Sequence, residues 1–81
     1  MRTPSIHLNG TSKKDLFDAH LAAWEKLGEG LDALSGCLPN ARDYYPQGDD
    51  AYRDARAQYQ SVRERLEAIR AEVEAMAEVL A

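Results

Sequence analysis

Eighty-one residues with a net charge of −4 make one small domain, residues 1–81, too short to bury a large core by itself. The acidic balance argues against general DNA or RNA binding. The single cysteine, Cys37, excludes an internal disulfide, and His7 and His20 stand apart from any second metal ligand, so no metal or cofactor is expected. Self-association is the remaining way to complete a core, and a homo-oligomer, a dimer or larger, is expected.

Residues 1–11 read as an arm. Ser5-Ile6-His7-Leu8 alternates polar and apolar residues, and Asn9-Gly10 is a turn signal. Nothing else in the chain reads as a strand. The arm therefore packs extended on a helix, pairs with the arm of another subunit, or frays. Met1-Arg2-Thr3-Pro4 lacks the apolar stretch of an export signal, and no apolar run reaches membrane-spanning length. With a lone cysteine suited to a reducing interior, a cytoplasmic location is expected, without membrane contact.

The first helix is placed over residues 12–37. Ser12, followed three residues later by Asp15, forms a capping signal. Phe17, Trp24, Leu31 and Leu38 then recur every seven residues, with His20, Leu27 and Leu34 three positions after the first three. That spacing predicts an a/d seam. Gly28 and Gly30 interrupt it, each weakening the helix by about 1 kcal/mol relative to Ala. Such glycines permit another backbone to come close or the helix to bend. Ser35-Gly36 before Pro39 closes the helix. His20 is read as a half-buried histidine bonded within the bundle, or as a polar register device. Cys37 is read as a packing residue, since no activating base is identifiable.

Residues 38–48 form the connection. It exceeds the two to about eight residues such a turn needs. It carries Arg42, Asp43, Tyr44, Tyr45 and Gln47 between Pro39 and Gly48, with Pro46 stiffening it. The tyrosines either plug the hairpin end or stack a ligand, and Arg42 and Asp43 either pair with each other or face a ligand. Together these side chains offer base stacking, phosphate pairing and hydrogen-bond acceptance.

The second helix is placed over residues 49–80, with Asp49 and Asp50 at its positive end. Tyr52, Tyr59, Leu66, Val73 and Leu80 form one column of a seam, and Ala55, Val62, Ile69 and Met76 the other. Arg63–Glu67 and Arg70–Glu74 are expected as i,i+4 pairs. Arg56, Arg63 and Arg70 make a stripe beside the seam, either a solvated flank or a row of anion contacts. The second helix spans roughly 45 Å and the first roughly 35 Å. The predicted fold is all-α: an antiparallel two-helix hairpin with an extended N-terminal arm, assembling into a helical-bundle oligomer. The longer helix is expected to overhang at Val73, Met76 and Leu80, with Ile6 and Leu8 of the arm as its cover.

A second polar group opens the first helix. Helix N-termini attract anions, so Thr11, Ser12 and Lys13, with Lys14 and the nearby His7 and Asn9, form a candidate anion site; plain capping is the simpler reading. It lies at the opposite end of the hairpin from the tyrosine loop. An antiparallel dimer would bring Arg42, Tyr44 and Tyr45 of one subunit towards His7, Asn9 and Lys13 of the other.

Ile6-His7-Leu8-Asn9-Gly10-Thr11-Ser12 and Arg42-Asp43-Tyr44-Tyr45-Pro46-Gln47-Gly48 resemble stretches in a group of small bacteriophage proteins. That resemblance implies a phage origin and a place in the host cytoplasm. The helical architecture is also similar to that of anti-CBASS sponges, phage proteins that oligomerise and sequester cyclic oligonucleotide signals. That similarity implies an anti-defence sponge for a small nucleotide. The residues themselves offer no acid/base pair, no nucleophile with its base and no glycine-rich phosphate loop, so an enzyme is not expected. Two functions remain: a non-catalytic oligomeric binder of a small anionic nucleotide, or an adaptor or inhibitor that docks on a host or phage protein through Tyr44 and Tyr45. In the second, Glu64, Glu67, Glu74 and Glu78 would steer encounter.

Overall fold

The computed structural model describes residues 1–81. It holds two long helices, α1 (Lys13–Leu34) and α2 (Asp49–Leu80), and no strand. Ser12 caps α1 through its Oγ, which accepts from the Asp15 N–H at 3.1 Å. A 3₁₀ turn, Ser35–Cys37, tightens the end of α1 before Pro39. Two more 3₁₀ turns, Ala41–Asp43 and Tyr45–Gln47, make up the connection. Gly48 then starts α2 at φ 111°, a left-handed value that glycine adopts without strain. No helix is long and apolar enough to cross a membrane.

The helices run antiparallel in a rod 62 Å long and under 20 Å wide in its other extents, 19 and 17 Å. Phe17 and Trp24 lie opposite Ala77 and Glu74, whereas Leu38 lies opposite Tyr52 and Tyr59. This register reverses the expected overhang. The C-terminal end of α2 is matched by the start of α1. The unmatched part of α2 is its N-terminal end, where the connection folds along it and Tyr44 packs on Tyr52 with ring centroids 6.5 Å apart. The physical reason is the connection itself. Its length lets α1 stop short and still reach the start of α2.

The core is small: Leu31, Met76, Ala77 and Leu80 are its buried members. Along α2 the inward columns are Tyr52, Tyr59, Leu66, Val73 and Leu80 with Arg63, Arg70 and Ala77, all buried or half-buried. Val62 and Ile69, expected in the seam, are 42% and 49% exposed. Leu38 is likewise exposed. Arg70 explains part of this exchange. Its guanidinium carbon lies 3.9 Å from the Trp24 ring centroid, and its Nε donates to the Trp24 carbonyl at 3.0 Å. The apolar stem covers the helix junction while the planar head stacks on the indole. The expected Arg70–Glu74 pair is consequently not made, whereas Arg63–Glu67 forms at 3.1 Å.

Gly28 makes room for this stack. A Cβ there would collide with the Arg70 guanidinium, whereas a Cβ at Gly30 would meet nothing within 4 Å. Gly30→Ala should therefore stabilise by about 1 kcal/mol from helix propensity alone. Gly28→Ala should gain the same propensity but displace Arg70, ending about 1 kcal/mol less favourable than Gly30→Ala. Urea unfolding of both variants, repeated in an Arg70→Ala background, checks this: the difference should vanish without Arg70.

The arm carries no strand. Gly10 N–H donates to the His7 carbonyl at 3.1 Å, closing a turn that sends residues 1–4 back along the hairpin. Met1 and Thr3 then lie beside Glu72, Met76 and Val79, and Met1 also meets Ala19, His20, Ala23 and Val73. Ile6 and Leu8, the expected covering residues, are exposed and border an open depression at the start of α1 instead. The cover over Met76 comes from the first residues of the arm instead.

Candidate functional site

The two polar groups marked in the sequence stand at opposite ends of the 62 Å rod. At the arm end, His7, Ser12 and Lys13 border one open depression with Ile6, Leu8 and Gly10. Asn9 and Thr11 lie outside it, and the Ser12 hydroxyl already accepts from Asp15. Its neighbour Lys14 pairs with Asp18 at 2.7 Å, and that carboxylate, through its hydrogen bond and charge, raises the lysine pKa.

At the loop end the side chains diverge. Asn40 Oδ1 accepts from the Arg42 N–H at 3.1 Å, which fixes the turn that follows. Arg42 and Asp43 form no ion pair, so both heads are free in solvent. Tyr44 turns inward onto Tyr52 and is half-buried, whereas Tyr45 is 79% exposed. Gln47 accepts no side-chain role; its N–H donates to the Tyr44 carbonyl at 2.9 Å and closes the second turn. One tyrosine thus plugs the hairpin end and the other projects from it.

Beside this end lies a cleft of about 360 Å³ that the sequence did not single out. Leu38 forms one wall, and Tyr52, Arg53, Arg56, Ala57, Tyr59 and Gln60 of α2 form the rest. These residues sit on consecutive turns because positions 52, 56, 59 and 60 share one helix face. Arg56 leans over Tyr52 with its guanidinium carbon 5.7 Å from the ring centroid, and it has no carboxylate partner. Arg53 pairs with Asp50 at 2.9 Å. Arg56 is therefore the free cation of the cleft. At its far edge the Tyr59 hydroxyl, with Glu67, raises the Arg63 pKa, tying Arg63 to its own helix. Two aromatic rings, an unpaired guanidinium and the Gln60 amide oxygen (its Nε2 donates to Glu64 at 3.3 Å) can stack a planar ring, pair with phosphate and accept from a polar edge.

The remaining chemistry-bearing groups do not converge. His20 Nδ1 lies 2.7 Å from the Leu16 carbonyl, a bond within its own helix. Cys37 is exposed. Arg70 of the arginine stripe is held on Trp24, so the three arginines form no common row. Tyr52 and Tyr59 could have been found in the sequence only by treating seam positions as surface, because their spacing marks them as core. No family model, curated protein or solved structure matches this chain.

Proposed function

We propose that this chain is the subunit of a non-catalytic, homo-oligomeric binding protein that holds a small anionic nucleotide at the loop end of the hairpin. One observation carries the reading. Arg56, without a carboxylate partner, stands between Tyr52 and Tyr59 in an open cleft bordered by Leu38. A base would stack on a tyrosine ring while Arg56 pairs with phosphate. Binding without turnover is what a sponge for a nucleotide signal requires, which is the role the similarity to anti-CBASS sponges implies.

A thermal-shift panel of nucleoside mono-, di- and triphosphates and cyclic dinucleotides tests this. A ligand at 100 times its dissociation constant stabilises the folded state by roughly 2.7 kcal/mol. That is several degrees for a domain of this size. The expected result is such a rise with at least one nucleotide, lost in Arg56→Ala and in Tyr59→Ala. No rise with any of them would overturn the nucleotide reading.

A second reading draws on Tyr45 and Leu38, 79% and 59% exposed at the same end of the rod. Exposed aromatic and aliphatic anchors on a stiff loop suit docking to a protein, as an adaptor or inhibitor would. In that case Tyr45→Ala alone removes capture of the partner, and Arg56→Ala leaves it.

A further inference from the structure

One flank of α2, beside its inward columns, carries a second apolar strip. Val62 and Ile69, two helical turns apart, lie along it and are 42% and 49% exposed. The chain as a whole is underburied. A compact chain of 9.0 kDa exposes about 4,850 Å², and this one exposes 6164 Å², roughly 1,300 Å² more. Two such chains covering that excess would bury about 2,600 Å² in total, within the range of obligate homodimers.

Charge sets the register. Arg65 and Glu72 border the strip seven residues apart, two helical turns, on the same side of α2. Neither has an ionic partner within the chain; Arg65 Nε only donates back to the Ser61 carbonyl at 3.3 Å. A twofold axis midway between Ala68 and Ile69 places Arg65 against the partner subunit's Glu72, and Glu72 against the partner subunit's Arg65. A parallel pairing would instead set Arg65 on Arg65 and Glu72 on Glu72, which is repulsive.

We propose that the strip of Val62 and Ile69 is covered by a second copy of this chain. The two α2 helices cross antiparallel about that axis, with reciprocal Arg65–Glu72 pairs. The same axis sets Val62 beside the partner's Met76 region, where Met1, 64% exposed, edges the interface. The contact is isologous and closes as a dimer. This assignment gives the homo-oligomer of the proposed function its surface and rests on that part of it; it leaves the cleft at Arg56 open on another stretch of α2.

Sedimentation equilibrium on the full chain and four samples tests it. Wild type should be a dimer. Arg65→Glu alone and Glu72→Arg alone should each raise the dissociation constant about 10-fold or more, since each sets like charges together twice. Mixed in equal amounts, these two variants should pair with each other about as tightly as wild type does. Ile69→Asp should raise the constant about 100-fold while circular dichroism shows its helices intact. A wild-type monomer would overturn this assignment and the oligomeric reading together. A dimer that persists through Ile69→Asp and both charge reversals would overturn this surface alone.

Discussion

Trp24→Ala should cost about 3 kcal/mol of stability, near the low end for a large aromatic because the indole is half-buried. Three losses combine. The indole leaves the junction it shares with Phe17 and Ala77. The Arg70 guanidinium loses the ring on which it stacks at 3.9 Å. The space beside Gly28, which suits Arg70 lying across helix α1, no longer has a ring to hold that side chain in place. Arg70→Lys separates these effects: it keeps a charge and a stem but loses the planar stack, and should cost about 1 kcal/mol. Urea unfolding followed by far-UV circular dichroism, at one fixed protein concentration, measures both. A Trp24→Ala cost no larger than that of Arg70→Lys would show that the indole does not anchor the hairpin.

Leu80→Ala should cost about 2–3 kcal/mol although Leu80 is the last residue of α2. Position alone argues for a frayed end with no effect. Burial argues otherwise. Leu80 is 4% exposed, and Met76, one turn earlier on the same face, is also buried. The start of α1 and the folded-back arm cover this end, so the helix is held to its final turn. The contrasting variant is Val79→Ala: Val79 is exposed, and its change should stay within about 0.5 kcal/mol. The same unfolding measurement compares them. Equal, small effects at both positions would mean that the C-terminal turn frays in solution.

The two helices were legible because their signals are local. Ser12 with Asp15 marks one start, Gly48 with Asp49 and Asp50 marks the other, and the periodic apolar residues between them leave no room for strands. The seam of α2 was legible in one column throughout and in the other at Ala55 and Met76, but not at Val62 and Ile69. Ranking by apolarity puts Ile69 inside and Arg70 outside, yet the fold does the reverse. A guanidinium with an aromatic face to lie on can cover a helix junction as well as an aliphatic side chain can, and that face belongs to Trp24, forty-six positions away. The end of α2 that would be left unmatched was hidden for a similar reason. An eleven-residue connection fits a short turn with slack or a folded strap along α2, and only the packing of Phe17 against Ala77 decides between them.

At the candidate site, the tyrosine pair was visible but not its division of labour. Tyr44 and Tyr45 are identical in kind, and the 3₁₀ turns that send one onto Tyr52 and the other into solvent depend on Asn40 and Pro46 together. The cleft around Arg56 was hidden because Tyr52 and Tyr59 occupy seam positions, which read as core. They line a cleft instead because α1 ends before reaching them, so the seam there has no facing helix.

The oligomeric part of the proposed function depends on a hairpin that completes itself with a copy. Sedimentation equilibrium of the unmodified full chain, across micromolar concentrations and without added ligand, tests this most directly. A mass of about 18 kDa, twice the 9.0 kDa chain, is expected. A stable 9.0 kDa species that unfolds cooperatively at every concentration would contradict it, because the exposed Val62 and Ile69 would then need no partner.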